Sequence, residues 1–167
     1  MRDEDEFRVF VHARMGSLRR MAYLLCEDWH TADDLVSITI GKLYRHWRRV
    51  RAADNVDAYV RKVLTRSWLD ELRWRSRHPE YPTAALPDHP TSGPGPEGVA
   101  QQSALAELLR TLSPGQRAVI VLRFYCDISV EETAAILSIG EGTVKSQAAR
   151  GLVALRSLLT DQQARQE

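Results

Sequence analysis

The sequence predicts an all-α protein made of two small helical domains joined by a Pro-rich linker. Apolar residues recur at three- and four-residue spacing on both sides of the linker, which is the period of an amphipathic helix. Six of the seven prolines fall between Pro79 and Pro96, and neither a helix nor a central strand tolerates that density. We therefore expect helical domains over residues 1–78 and 99–167, with a flexible Pro/Gly-rich linker over residues 79–98.

The first domain is predicted to contain three helices. Apolar positions spaced by three or four residues from Phe7 onward indicate the first of them. A second helix is expected over about 32–48, with Thr31 as its N-cap. A loop over residues 51–56 then leads to a third helix over about 57–76.

Positive charge is concentrated in one segment, although the formal net charge of the chain is only +1. Residues 42–78 carry eleven Lys and Arg against four Asp and Glu, a local net charge of +7. Four of these cations share one side of the third helix, away from its apolar side: Lys62, Arg66, Arg73 and Arg77. A concentrated basic face of this kind is typical of nucleic-acid binding, and Trp74 is the aromatic side chain that we expect to be most exposed beside it.

The second domain contains the parts of a helix-turn-helix. Its first helix is expected over about 99–112, and Ser113-Pro114 begins the next one. The S-x-x-E pattern at Ser129 is a capping box for a short helix, which a Gly-containing turn connects to a last helix over about 143–159. In such units the second helix lies in the major groove of DNA. The candidate base contacts are the outward positions of the last helix, Lys145, Ser146, Gln147, Ala149 and Arg150.

The motifs on both sides of the linker resemble the extracytoplasmic-function (ECF, group 4) sigma factors of the sigma-70 family. The segments similar to region 4 of that family are 112–117 (LSPGQR), 122–124 (LRF), 129–137 (SVEETAAIL) and 142–146 (GTVKS). The segments similar to region 2 are 32–36 (ADDLV) and 43–47 (LYRHW). The resemblance covers nearly the whole chain, in the order of the family and with the family's linker between the two regions.

The resemblance implies a factor that brings core RNA polymerase to promoter DNA. Region 2 would bind the polymerase through Asp34, Leu35 and Val36. It would recognise and melt the −10 element through its loop and basic helix, where the candidates are Arg51, Asn55, Lys62, Arg66, Arg73 and Arg77, with Asn55 beside a flipped base. Region 4 would read the −35 element through the outward positions of the last helix.

Two positions depart from what the family or a helix usually shows. After Val36 the family usually has Gln-Glu-Thr, where this chain has Ser37-Ile38-Thr39. Gly151 lies inside the last helix, where glycine is unfavourable by roughly 1 kcal/mol relative to alanine. Gly151 therefore indicates either a close packing point or a weaker helix.

The resemblance also implies a set of partners. They are the polymerase core, through its clamp helices and flap, promoter DNA, and an anti-sigma protein that holds the factor inactive. We expect no cofactor, no membrane contact and no obligate homo-oligomer. The acidic N-terminus lacks the apolar stretch of a signal peptide, so the expected compartment is the cytoplasm. Cys26 and Cys126 have apolar neighbours and are expected to be buried thiols.

Two other classes of function remain as alternatives. A dimeric helix-turn-helix regulator would bind a palindromic operator without polymerase, but the sequence shows no heptad zipper or further oligomerisation domain. An enzyme would need a catalytic constellation, yet the five histidines lack metal-ligand spacing. The sequence also lacks a phosphate-binding Gly loop and a nucleophile motif. We therefore predict a protein that is not an enzyme and has no metal site.

Overall fold

The computed structural model describes residues 2–80 and 104–166, and the chain divides into two compact units between Pro94 and Gly95. Every regular element in the described residues is helical, which confirms the predicted all-α class. The predicted linker over residues 79–98 lies outside the described residues except for its first two positions. Within the described ranges, no helix combines the length and the apolar run that crossing a bilayer requires. The same ranges contain no group of three or more His, Cys, Asp or Glu placed to hold a metal ion.

The first unit is a bundle of three long helices and one short helix. They are α1 (Arg2–Cys26), α2 (Trp29–Arg45), α3 (Trp47–Arg51) and α4 (Val56–Arg77). Helix α2 packs against both α1 and α4. The side chains buried between these helices include Ala22, Leu24, Leu25, Leu43, Val50 and Leu64. Burial of a leucine or valine side chain contributes about 1.5–3 kcal/mol, so this core fixes the helices that carry the site.

Helix α2 begins three residues earlier than predicted, because Asp28 rather than Thr31 is its N-cap. The Asp28 carboxylate accepts hydrogen bonds from Thr31 N, at 2.8 Å, and from the Thr31 hydroxyl. Partial burial acts to raise the pKa of Asp28, but the hydrogen bonds from Thr31 and His30 outweigh it and hold that pKa below its ordinary value. Thr31 therefore orients the cap instead of forming it.

The loop before α4 is shorter than predicted, because α3 continues through Arg51. The loop comprises residues 52–55. At its end Asn55 caps α4, with Asn55 Oδ1 accepting a hydrogen bond from Ala58 N at 3.0 Å. The cap fixes the direction in which the loop enters the helix.

The second unit contains four α-helices and one π-helix within its described residues. They are α5 (104–110), α6 (Pro114–Ile120), the π-helix (Val121–Tyr125), α7 (Val130–Leu137) and α8 (Glu141–Ala164). Helix α8 packs against α6 and α7. The π-helix is not visible in the sequence pattern, and it leaves Phe124 52% and Tyr125 43% exposed.

The capping signals of the second unit act as predicted. Ser113 Oγ accepts a hydrogen bond from Gln116 N at 3.4 Å at the start of α6. Ser129 Oγ accepts one from Glu132 N at 3.1 Å at the start of α7. These bonds satisfy amides that would otherwise lack a partner at each helix start.

A three-residue turn connects α7 to α8. It begins at Ser138, whose backbone is left-handed with φ of 54°. Helix α8 follows at Glu141, two residues before the predicted start. A short helix, a tight turn and a longer helix packed against it form the predicted helix-turn-helix.

The two cysteines are less buried than predicted. Cys26 is the last residue of α1 and Cys126 follows the π-helix, and the side chains of both are half-buried. The prediction of buried thiols was wrong because each cysteine lies at the end of a helix rather than on an inward face.

Candidate nucleic-acid and polymerase interface

The outward side of α8 is held away from the core of the second unit by two buried residues. Val144 is fully buried, and Gly151 is buried against Ile120. The predicted base contacts that are exposed on the other side are Lys145, Ser146, Ala149 and Arg150. This side of the helix therefore presents two cations and a hydroxyl, which can donate hydrogen bonds to base edges and phosphates, and a methyl, which can contact a base edge.

Gln147, the fifth predicted base contact, lies apart from the other four. It is half-buried, and its Nε2 would lie 3.5 Å from a Cβ placed on Gly115. Its Oε1 is buried and has no hydrogen-bond partner among the described residues. Because the side chain is directed at α6, it must rotate out of the unit before it can contact a base.

The basic face predicted on α4 is present, but one acid lies beside it. Arg73 Nη1 is 3.6 Å from Asp70 Oδ1, and Asp70 Oδ2 is 3.5 Å from Lys42 Nζ. One carboxylate thus faces two cations, which leaves the face positively charged. The exposed members of the predicted row are Arg66, Arg73 and Arg77, and Lys62 is half-buried.

Arg51 is turned toward α1 rather than toward a ligand. Its Nη1 lies 2.9 Å from Asp3 Oδ1 and 3.4 Å from Glu6 Oε2. The structure therefore does not place Arg51 with the predicted DNA contacts, since two carboxylates already face its guanidinium. Asn55, the other predicted contact in this part of the chain, is exposed while its Oδ1 caps α4.

Three arginines at the junction of α2 and α3 form a basic surface that the predicted contacts did not include. Residues 42–51 contain five cations and no acid, which is the sequence signal that could have identified it. Lys42 and Arg51 face carboxylates. The remaining cations are exposed and have no carboxylate within ion-pair distance in the described parts of the chain: Arg45, Arg48 and Arg49, here called the elbow cluster. Together with Asp3, Tyr44, His46 and Trp47 they line a cavity of about 490 Å³.

Two exposed aromatic side chains accompany these cations. Trp74 is 46% exposed and stacks on His78 with ring centroids 4.4 Å apart. Tyr44 is 51% exposed, so the prediction that Trp74 is the most exposed aromatic was wrong. Tyr44 lies in the last turn of α2, where the ring of Phe7 packs against it with ring centroids 5.0 Å apart.

Of the three predicted polymerase contacts, the structure exposes only Asp34. Leu35 and Val36 are 2% and 3% exposed and belong to the core of the bundle. The prediction that they contact a partner is therefore corrected: their side chains hold α2 in place. Exposed residues on the same side of the helix as Asp34 include His30, four residues before it, whose Nε2 lies 3.8 Å from Asp34 Oδ2. Ser37 and Ile38 lie three and four residues after Asp34 and are also exposed.

Family models match the chain in both units. The model for sigma-70 region 2 matches residues 10–78, and the model for sigma-70 region 4 matches residues 102–155. The chain is 37% identical over 155 residues to the RNA polymerase sigma-E factor of Streptomyces coelicolor, a match that covers 92% of this chain and 86% of that protein. It is 30% identical over 142 residues to the ECF RNA polymerase sigma factor SigM of Mycobacterium tuberculosis, covering 85% of this chain and 71% of SigM.

Two solved structures share the fold. The first is the sigma factor RpoE in complex with the anti-sigma factor NepR from Bartonella quintana, with a TM-score of 0.70, 24% identity, and coverage of 93% of this chain and 97% of that one. The second is CnrH in complex with the cytosolic domain of CnrY, with a TM-score of 0.66, 20% identity, and coverage of 95% and 90%. At these identities the likeness concerns the fold.

Proposed function

The chain belongs to the sigma-70 family, among the ECF RNA polymerase sigma factors, and from this membership we propose that it directs core RNA polymerase to specific promoters. The observation that carries the proposal is the exposed side of α8. The first turns of a recognition helix face the base edges of the major groove. We therefore assign the −35 element to Lys145, Ser146, Ala149 and Arg150.

The first unit recognises and melts the −10 element in this proposal. Its cations hold the DNA backbone on both sides of the opened base pairs, and its exposed rings can stack on unpaired bases. Asn55, next to the start of α4, is the candidate contact to a flipped base. The proposed backbone contacts are Lys62, Arg66, Arg73 and Arg77 of α4 together with the elbow cluster.

The polymerase clamp helices bind the exposed side of α2 in this proposal. Asp34 supplies a charge there, and Ile38, 37% exposed, supplies apolar surface. Leu35 and Val36 support this surface from inside the bundle. The second unit engages the polymerase flap, so that both units are bound to the same enzyme when they meet a promoter.

Control by an anti-sigma protein is part of the proposal. RpoE and CnrH share the fold, and their structures are complexes with NepR and with CnrY. We assign residues 1–78 to region 2, residues 79–98 to the linker and residues 99–167 to region 4. We also place the protein in the cytoplasm, where its polymerase and promoters are, and assign it no reaction, cofactor or obligate homo-oligomer of its own.

A dimeric helix-turn-helix regulator is the alternative, and it accounts for less of the chain. It explains the second unit but gives no role to the region 2 match over residues 10–78. The match to both regions in one chain therefore favours the sigma factor.

Transcription in vitro separates the two functions. Core RNA polymerase from the source organism is assayed on genomic promoter fragments with and without the full chain. We expect transcripts that depend on the promoter and appear only when the chain is present. If the chain instead binds a palindromic fragment without polymerase and yields no transcript, the regulator is correct and the sigma factor is not.

A further inference from the structure

We infer that three charged side chains of α1 position the loop that recognises the −10 element, an inference that rests on the proposed function. The three are Asp3, Glu6 and Arg14. None of them needs to contact DNA, because each acts through a partner that flanks the loop of residues 52–55.

The first contact lies just before the loop. Arg51 is the last residue of α3, and its guanidinium meets Asp3 at 2.9 Å and Glu6 at 3.4 Å. Asp3 and Glu6 are three residues apart on α1, so they share one side of that helix and can hold one cation together. Arg51 is therefore tied to α1 where the loop begins.

The second contact lies just after the loop. Arg14 Nε is 2.8 Å from Asp57 Oδ1, in the first turn of α4 and two residues beyond Asn55. The Arg14 guanidinium also lies over the ring of Phe10, 4.3 Å from its centroid, and Phe10 is only 9% exposed. Stacking on a buried ring holds Arg14 in the orientation that its partner requires.

Both ends of the loop are thus attached to one continuous helix. Along α1, Arg14 lies about 12 Å from Glu6 and about 17 Å from Asp3, at 1.5 Å of rise per residue. Val50 in α3 and Val60 in α4 are buried and hold the two helices that flank the loop. Within the loop of residues 52–55, Ala53 is half-buried and the other three residues are exposed. The two ion pairs therefore limit how far the loop, and Asn55 with it, moves relative to the bundle.

The side chains in these pairs are between 29% and 60% exposed, so dissolved salt weakens the pairs. Selectivity for the −10 element should then decrease with increasing salt. Selectivity for the −35 element, which α8 reads, should be independent of the two pairs.

The test uses holoenzyme made from full-length chains. The measured quantity is the transcript ratio between an intact promoter and one with a single substitution in the −10 element, with a −35 substitution as a parallel ratio. The variants are Arg14→Gln and the double variant Asp3→Asn with Glu6→Gln. The matched control is Arg19→Gln, which removes another ion pair of α1, Arg19 Nε to Asp33 Oδ1 at 2.7 Å, away from the loop.

We expect the −10 ratio to fall about two- to fivefold in both test variants, the range that an exposed ion pair supports. The −35 ratio should stay constant throughout, and Arg19→Gln should change neither ratio. Arg14→Lys should restore the −10 ratio, because it keeps the cation. Adding Arg51→Gln to the variant with Asp3→Asn and Glu6→Gln should lower the −10 ratio no further, because the ion pairs that Arg51 makes with these two acids are already absent.

Other results would overturn the inference. Melting temperature and total transcription could fall while the −10 ratio stays unchanged, in which case these side chains only stabilise the fold. A further loss with Arg51→Gln would make Arg51 a DNA contact. If the parent chain gave no promoter-dependent transcript, the proposed function would fail and this inference with it.

Discussion

At position 151 the lack of a side chain determines how closely α8 approaches α6. A Cβ there would lie 2.9 Å from Ile120 Cγ1 and 3.1 Å from Ile120 Cδ1, distances that real Cβ atoms rarely show. The sequence left two explanations for a glycine in the recognition helix, and the structure supports close packing. Helix propensity lost at Gly151 is offset by contact between the two helices.

Replacing Gly151 therefore tests this packing. Gly151→Ala gains roughly 1 kcal/mol of helix propensity but overpacks the contact, which typically costs about 1–3 kcal/mol. We expect a net loss of about 1 kcal/mol in the free energy of unfolding, measured by denaturant titration. Gly142→Ala is the control, because a Cβ there meets no atom within 4 Å, and it should stabilise. Equal stabilisation by both changes would contradict the packing account.

The Asp28 cap gives a prediction with a defined pH dependence. Asp28→Ala should lower the free energy of unfolding by about 1 kcal/mol at neutral pH, because Thr31 N loses its acceptor. The folded state lowers the pKa of Asp28, so its charge contributes stability above the ordinary Asp pKa of 3.8, and that contribution is lost as the pH falls through the folded pKa. Asp28→Asn keeps a cap acceptor but lacks the charge, so it should be less stable than the parent at pH 7 and lose less stability in acid. Parallel acid profiles for the Asp28→Asn variant and the parent chain would rule out this role.

Among the helices and loops, the sequence predicted correctly those features whose cause lies within a few residues along the chain. Ser113 and Ser129 mark helix starts through bonds three residues away, and both starts were predicted correctly. The orientation of Arg51 depends on acids 45 and 48 residues away in the sequence, which no local pattern shows. Leu35 and Val36 were assigned to a partner by family likeness, but their burial depends on which side of α2 faces the bundle.

Arg150 in the recognition helix is the position where base reading can be tested by a single substitution. If its guanidinium pairs with a guanine of the −35 element, Arg150→Ala should weaken binding of the holoenzyme to that element by about 1–3 kcal/mol. Arg156→Ala is the matched control, because it removes an exposed arginine from the same helix about 9 Å further along its axis. Equal losses in both variants would indicate a general charge effect instead of base reading.

The elbow cluster makes a prediction about salt. Affinity for DNA falls as salt rises, and each phosphate contact makes the decrease of log affinity with log salt concentration steeper by about 0.7 to 0.9. Changing Arg45, Arg48 and Arg49 to Gln should therefore reduce that slope by about 2 to 3 for holoenzyme on promoter DNA. A control with Arg8, Arg156 and Arg165 changed to Gln alters the net charge equally and should leave the slope near that of the parent. If both triple variants show the same slope, the elbow cluster does not contact the backbone.

Across the whole molecule, charge is separated along the chain rather than balanced locally. Residues 42–78 carry a net charge of +7, while residues 1–41 and 79–167 each carry −3. The first compact unit contains both the basic segment and an acidic one and holds the elbow cluster and the basic face of α4, and the second unit exposes the outward side of α8. We propose that each unit reads a different promoter element and that binding to one polymerase combines the two readings.

Promoter discrimination by two single variants, one in each unit, distinguishes separate reading of the two elements from a shared effect. Asn55→Ser keeps an acceptor to cap α4 but removes the amide proposed to contact a flipped base, whereas Arg150→Ala acts in the other unit. In transcription by the holoenzyme, we expect Asn55→Ser to lower discrimination at the −10 element alone and Arg150→Ala to lower it at the −35 element alone. If either variant lowers both discriminations equally, the two units do not read separate elements, and the account is wrong.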